Sequence, residues 1–412
     1  MPKKYDVLVI GGGASGLMAA GRAAERGLRV LLLEKNKRLG EKLRITGGGR
    51  CNITNAEESE RLLLAHYGAA ERWLYSPFSQ FGMKSTFSFF AGRGLALVIQ
   101  GNKRAFPKSE KAGDVLRVME NYIKQGNVEV RTNIQVSEIV GNNGLIEKVI
   151  ANGEEFAAKN YIIAAGGKSH PETGSTGDGF SWLKNLGHSV ALPTPTIVPI
   201  SVADEWIKSL AGISFANAKI TFYIDGQKTK VFKGKILCTH FGLSGPLILN
   251  AAGQVADWLH EGFVTAKIDV YPEVDLGALD KHITKIFDEN KNKFLKNVFK
   301  VIAPKGASAA VLSLLPNIDP EIQVNSITKV QRKQIVNLLK ALPVSITGLM
   351  GLDKAVVVDG GVDLKEVDAK TMGSKLYSNL FVTGDLLHIS RPSGGYSLQL
   401  CWTTGFVAGN CA

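Results

Sequence analysis

Gly11, Gly13 and Gly16 stand in a G-x-G-x-x-G spacing directly after the apolar run YDVLVI (5–10), and Glu34 closes the next apolar run, RVLLL (29–33). This arrangement suits the holding of a diphosphate. Gly11 permits a tight turn, Gly13 lets the backbone approach a pyrophosphate, and Gly16 lets a helix lie close on a strand. The helix amino end offers free N–H groups and a partial positive charge to the phosphates. The Glu34 carboxylate can accept hydrogen bonds from ribose hydroxyls, and it repels a 2′-phosphate, which disfavours NADP here. A second acid, Asp385, ends the short apolar run NLFVTGD (379–385), and Gly394-Gly395 precede a small, apolar tail. An acid there could bind the ribitol hydroxyls of a flavin, whereas NAD has no ribitol and needs no second site. The plain alternative for Asp385 is a surface turn with an N-capping carboxylate.

The elements that must position these residues are legible as patterns. Residues 5–10 are a buried parallel strand, 15–26 a helix rich in Ala, Leu and Met, and 29–33 a second strand: a βαβ unit of about 30 residues. Residues 35–57 read as a basic, Gly-rich loop, with helices over 57–75 and 112–125. Alternation over 128–140 and 146–150 predicts strands, as does the apolar run Tyr161–Ala164; Thr173–Gly179 is a loop leading into a helix over 180–186. Pro193, Pro195 and Pro199 mark a composition change. Beyond them, 196–271 alternates like antiparallel strands, 275–300 and 328–341 read as helices, Val356–Val358 and Leu380–Thr383 as buried strands, and 397–410 as a closing helix. The two ends of the chain thus form one nucleotide-binding domain with the middle inserted into it. There is no internal repeat.

Composition narrows the classes. The 412 residues, 45% hydrophobic and 21% charged, suit two or three globular domains and exclude wholesale disorder. Glycine, at 45 residues, exceeds the usual share but clusters in short motifs without a collagen period. Cys51, Cys238, Cys401 and Cys411 form no CxxC pair, so neither a disulfide framework nor a metal site is expected, and a cytoplasmic setting fits. Lys3 and Lys4 ahead of Val7–Ile10 mimic a signal peptide, but Asp6, Gly11–Gly13 and Arg22 interrupt the pattern, and no apolar run is long enough to span a membrane. The net charge of +12, with lysines dense over 281–305, keeps open a tRNA-acting flavoenzyme as an alternative. No RNA-binding motif accompanies the charge, so a nucleic-acid partner is not expected.

Several blocks together resemble the bacterial NAD(P)/FAD-dependent oxidoreductases of the aminoacetone-oxidase-like and bile-acid-reductase-like flavoprotein group. They are VLVIGGGASGLMAA (7–20), GEKLRITGGGRCNITN (40–55), RAFPKSEKAGDVL (104–116), AAGGKSHPETGSTGDG (164–179), THFGLSGPLIL (239–249), SKLYSNLFVTGD (374–385) and PSGGYSLQ (392–399). The resemblance runs essentially the whole length. It implies an α/β architecture: a Rossmann-type FAD-binding domain (1–192 and 349–412) with an inserted β-rich, barrel-like domain (193–272 and 320–348) that carries a helical subdomain (273–319). It implies one FAD, with Gly11, Gly13, Ser15 and Gly16 on the pyrophosphate and Glu34 on the adenosine ribose. Lys35, Lys42 and Arg44 would be cationic neighbours, Gly47, Gly48 and Gly49 would pass close to the isoalloxazine ring, and Val136 would touch adenine. Ala165, Gly166, Gly384, Asp385, Gly394 and Gly395 match the later cofactor segments. NADH or NADPH is the candidate hydride donor, and an unidentified small organic molecule or oxygen the acceptor.

The departure from this group lies in GDLLHISRPSGGYS (384–397). Many members carry a second acid and an Asn in this block. Here His388 replaces the carboxylate, so a role assigned to that acid does not transfer. No catalytic residue is fixed by the sequence; His240, Tyr396 and His388 are the candidates, and Arg104 and Lys108 could hold an anionic substrate. Cys51 could be a redox partner or a flavin attachment, against the plainer reading of a small packing residue. A flavin-binding protein without catalysis is the remaining alternative, and oligomeric state is not legible.

Overall fold

The computed structural model describes residues 5–351, 355 and 357–412; Lys3, Lys4 and Val356 lie outside them. The chain divides into two compact units, Met1–Pro195 with Val356–Ala412, and Thr196–Ala355.

The first unit is built on a five-stranded parallel sheet in the order Leu380–Val382, Ala158–Ile163, β1 (Tyr5–Ile10), β2 (Val30–Leu33), Glu129–Arg131. Its central strands are apolar on both faces because both faces are covered: Val7, Leu8 and Val9 of β1 and Leu31 and Leu32 of β2 are fully buried. β1 runs into Gly11–Gly13, and α1 (Ala14–Glu25) follows. The closing helix, Tyr396–Cys411, is buried nearly all round, which explains its lack of an amphipathic stripe. It lies directly on α1. A Cβ at Gly405 would stand 2.4 Å from the Ser15 carbonyl oxygen, and one at Gly409 2.3 Å from that of Ala19. The last helix of the chain therefore touches the first backbone to backbone.

Two small three-stranded antiparallel sheets also belong to this unit. Thr54–Asn55, Arg104–Pro107 and Leu97–Gln100 form one; Val136–Asn142, Leu145–Ala151 and Glu154–Phe156 form the other. The alternation over 128–140 thus covers strands of two different sheets. The helix expected over 57–75 is broken into Glu60–Ala65, a 3-10 turn Gly68–Ala70 and Glu71–Gln80, with Gly68 at φ +54° ending the first turn. A further helix, Met83–Ala91, and the short α2 (Glu41–Ile45) inside the basic loop carried no clear periodicity.

In the second unit, six antiparallel strands close into a barrel: Ile200–Val202, Gly242–Ser244, Gln227–Thr239, Ser214–Ile224, Val264–Asp269 and Leu342–Leu349, the last pairing back to the first. Its own apolar core includes the helices Pro246–Glu261, Leu276–Glu289, Leu295–Ile302 and Lys329–Lys340. The single helix expected over 275–300 is two, separated at Asn290–Phe294. The helix Lys329–Lys340 begins in a Thr328/Gln331 capping box.

The contact between the closing helix and α1 leaves no space for a methyl group. Gly409→Ala is expected to lower unfolding free energy by about 1–3 kcal/mol through overpacking. Gly253→Ala, where nothing lies within 4 Å of the added Cβ, should raise it by roughly 0.5–1 kcal/mol. Urea unfolding of both variants measures this, and a neutral Gly409→Ala would contradict the packing described.

Candidate cofactor site

The diphosphate fingerprint takes the form its spacing requires. Gly11, at φ +103°, has no room for a side chain: a Cβ there would meet the Ala164 carbonyl oxygen at 2.5 Å, and one at Gly16 would meet the Gly11 carbonyl oxygen at 1.9 Å. Gly13 differs, since nothing lies within 4 Å of its would-be Cβ. Gly13 is also the N-cap of α1 and places no side chain over the free N–H groups. Two glycines close the strand–helix turn while the third leaves an open approach to the helix amino end.

Glu34 is buried and held from both sides. Its Oε2 accepts from the Gly12 N–H at 2.7 Å and its Oε1 from the Asn36 N–H at 2.8 Å. The carboxylate is thereby fixed beside the glycine turn with lone pairs to spare for hydroxyl donors. The Ile134 N–H donates to the Glu34 carbonyl at 3.0 Å, which brings the start of the Val136 strand alongside. The Lys35 ammonium bonds Thr176 at 2.6 Å and pairs with Asp178 at 2.8 Å. Arg44 is spared such partners, and its Nε is buried without a hydrogen bond.

After α2 the backbone runs through Gly47, Gly48 and Gly49 at φ +58°, +68° and +83°. Three successive left-handed residues are accessible only to glycine. A Cβ at Gly48 or Gly49 would meet nothing within 4 Å, so this backbone edge is open to a planar ligand.

The far end of the chain arrives at the same place. Parallel pairing of Leu380–Val382 with Tyr161–Ile163 carries Gly384 to the start of α1, where its would-be Cβ stands 3.0 Å from Ser15 Oγ. The Gly384 N–H donates to Thr404 Oγ1 at 3.0 Å. Asp385 follows, with its Cβ 3.3 Å from the would-be Cβ of Gly167, next to Ala165 and Gly166. Lys42 reaches Ser169 Oγ at 3.0 Å. Burial lowers the Lys42 ammonium below the ordinary lysine range, and the nearby Asp385 carboxylate opposes that shift. The fully buried Arg391 guanidinium pairs with Asp385 and donates to Ser397 Oγ and the Ile389 carbonyl. Sequence reading missed Arg391; its only signal was an arginine six residues after an acid in a Gly/Pro-rich loop. Gly394 and Gly395, at φ +123° and +102°, lead into the closing helix, and Gly395 presses so closely on Thr54 that a Cβ would lie 2.5 Å from its carbonyl oxygen.

The catalytic candidates differ in exposure. Tyr396 is buried at the first position of the closing helix, packed against His66 and Tyr67 at ring distances of 4.8 and 6.0 Å. His388 is exposed, 3.8 Å from Asp359. His240 is exposed in the second unit, in the turn between Gln227–Thr239 and Gly242–Ser244. Among the described residues no group of His, Cys, Asp and Glu could hold a metal, and no helix is long and apolar enough to cross a membrane.

Comparison with known proteins agrees with this geometry. The HI0933-like protein Rossmann domain family matches residues 5–411. The chain belongs to the HI0933-like family. It shares 29% identity over 412 residues, 98% of each chain, with the 3-dehydro-bile acid delta(4,6)-reductase of Clostridium scindens. It shares 26% over 413 residues, 99% of this chain and 98% of the other, with the ribosomal RNA dihydrouridine synthase of Haemophilus influenzae. Among solved structures, the 3-ketosteroid-delta4-(5alpha)-dehydrogenase of Rhodococcus jostii superposes with a TM-score of 0.55 at 14% identity, over 100% of this chain and 97% of that one, a likeness of fold. The HI0933-like chain therefore has the Rossmann-type FAD-binding architecture of flavin oxidoreductases.

In this HI0933-like chain, Cys51 has the surroundings of a packing residue. It is fully buried at φ +60°, and burial pushes its pKa up to about 12. Native protein treated with iodoacetamide at about pH 8 is expected to leave Cys51 unlabelled until denaturation, since the thiolate is the reactive form. Peptide mass spectrometry reads the outcome, and native labelling at the rate of a free peptide thiol would place Cys51 at the surface instead.

Proposed function

We propose that this protein is an FAD-dependent reductase that takes hydride from NADH or NADPH and saturates a carbon–carbon double bond conjugated to a carbonyl. One observation carries the proposal: Gly384-Asp385 stands against Ser15 at the amino end of α1, so the glycine fingerprint and the second acid converge as a flavin dinucleotide needs. The donor set fits that group. Gly13 and the uncapped start of α1 suit the pyrophosphate, with Arg44 and Lys42 as its cationic neighbours. Glu34 suits the adenosine ribose, Val136 the adenine, and Asp385 the ribitol. The open Gly47–Gly49 backbone and Gly394-Gly395 suit the ring. Bound there, the flavin supplies the hydride chemistry, and the protein supplies position and electrostatics. The names of the full-length relatives fit the loss of a double bond, from a delta(4,6) system and in forming dihydrouridine. The three-part division of the chain, with 273–319 as a helical subdomain, belongs to the same proposal.

A second reading, an enzyme acting on a base in RNA, is favoured by the dihydrouridine synthases that match end to end and by exposed Lys228, Lys230, Lys233 and Lys235 on one barrel strand. RNA binding that weakens steeply as salt rises would support it; none at low salt would dismiss it.

Purified protein should release FAD on denaturation and show an absorbance band at about 450 nm that bleaches anaerobically with NADH or NADPH. A bound flavin unbleached by either would remove the nicotinamide donor. Asp385→Asn is expected to weaken FAD binding by roughly tenfold or more while the protein stays folded. Unchanged affinity, read by flavin fluorescence, would remove the ribitol role.

A further inference from the structure

Arg104 opens the strand Arg104–Pro107 and pairs in register with Asn55. Its Nε is buried with no hydrogen-bond partner, and among the described residues no ion pair engages its guanidinium. Other sequestered arginines in the chain spend their N–H groups: Arg391 on Asp385, Arg332 on Asp280, Arg22 on Asn410. The neighbouring Lys103 takes the carboxylates on this face, at 2.7 Å from Glu57 and 3.3 Å from Glu58. His66 Nε2 adds a contact of 3.5 Å to Glu57. A buried guanidinium Nε–H without an acceptor is costly and calls for one.

The surroundings point the same way. Asn102 and Lys103, immediately before Arg104, both adopt positive φ, +59° and +56°, without being glycine. Such backbone is unfavourable, and it lies immediately before the strand that Arg104 opens. The would-be Cβ of Gly394 lies 3.7 Å from Arg104 Nε, 3.7 Å from Asn55 Nδ2 and 3.5 Å from the Tyr396 ring. Asn55, 4% exposed, donates to the carbonyls of Gly394 and Asn102 and is left with a buried, unpartnered Oδ1. Gly395 caps the sixteen-residue closing helix without a side-chain bond, so the free N–H groups of its first turn lie beside this cluster.

We infer that Arg104, with the amino end of the closing helix, receives the oxygen of the substrate on which negative charge develops, and that the substrate is an alkene conjugated to a carbonyl or carboxylate oxygen. The inference rests on the flavin-reductase reading above. A reduced flavin held in this site would supply a hydride to the alkene carbon β to the carbonyl and be left oxidised. The π electrons would shift onto the oxygen, and as the carbonyl re-forms the α carbon would take a proton from solvent, completing the saturation. The Arg104 N–H groups hold that oxygen as its charge grows.

The test uses the full-length, FAD-loaded protein and para-chlorophenol, whose phenolate mimics the oxyanion and, stacked on oxidised flavin, produces a long-wavelength charge-transfer band. Wild type is expected to bind the phenolate form and to lower the apparent pKa of the bound phenol. Arg104→Gln should keep its FAD and weaken phenolate binding by roughly tenfold or more, with partial recovery in Arg104→Lys. Should Arg104→Gln fail to fold, Arg104→Lys is compared with wild type for the bound phenol's pKa, and an unshifted value overturns the inference. Phenol affinity and band unchanged in Arg104→Gln, or no phenol binding to flavin-loaded wild type, also overturns it. Competition separates the sources: displacement by crotonate identifies a carboxylate and displacement by cyclohexenone a ketone, while displacement by neither counts against the inference. A wild-type protein that takes up no FAD would instead overturn the reading of function itself.

Discussion

The closeness of Gly16 to the carbonyl of Gly11, with Gly11 pressed in turn on Ala164, is the contact on which the first unit depends. It holds the amino end of α1 at the carboxyl edge of the parallel sheet. That is where a helix dipole and unpaired N–H groups can meet an anionic ligand. A side chain at either position would push helix and sheet apart and move every group argued to face the cofactor.

The same device recurs where the chain ends. Gly405 and Gly409 let the closing helix lie on α1 backbone to backbone. This fixes Thr404, which holds the Gly384 N–H, and with it Gly384 beside Ser15 and Asp385 beside Gly167. Packing of small residues thus converts a sequence separation of about 370 residues, Ser15 to Asp385, into one site. Electrostatics then sort the charged groups. Arg391 and Lys35 are already engaged by carboxylates, whereas the Nε atoms of Arg44 and Arg104 are left without acceptors. Buried donors without partners mark the places where a ligand's oxygens would complete the structure.

The legible parts of the sequence were those where local chemistry and global fold agree. The β1–α1–β2 unit, the Gly47–Gly49 loop and the closing helix follow from apolar runs punctuated by glycine, which constrain the backbone wherever they occur. The helices broken at Gly68 and at Asn290–Phe294 were illegible as breaks, because helical periodicity continues across them and only packing decides where the axis turns. The strands Glu129–Arg131 and Val136–Asn142 share one alternating stretch but join different sheets, a choice that depends on partners far along the chain.

The site divides along the same line. The sequence alone determined a dinucleotide fingerprint, an acid at the end of each of two strands, and a family resemblance running its whole length. These are consequences of spacing and residue type, which act over a few residues. Tertiary structure alone decided that Gly384 meets Ser15 and Asp385 meets Gly167, that Glu34 is pinned by the Gly12 and Asn36 amides, that Cys51 is sealed away, and that Arg104 stands beside Gly394 with a buried, unpaired Nε. Whether a charge is paired or waiting depends on which distant segments the packing brings beside it, and no local pattern carries that information.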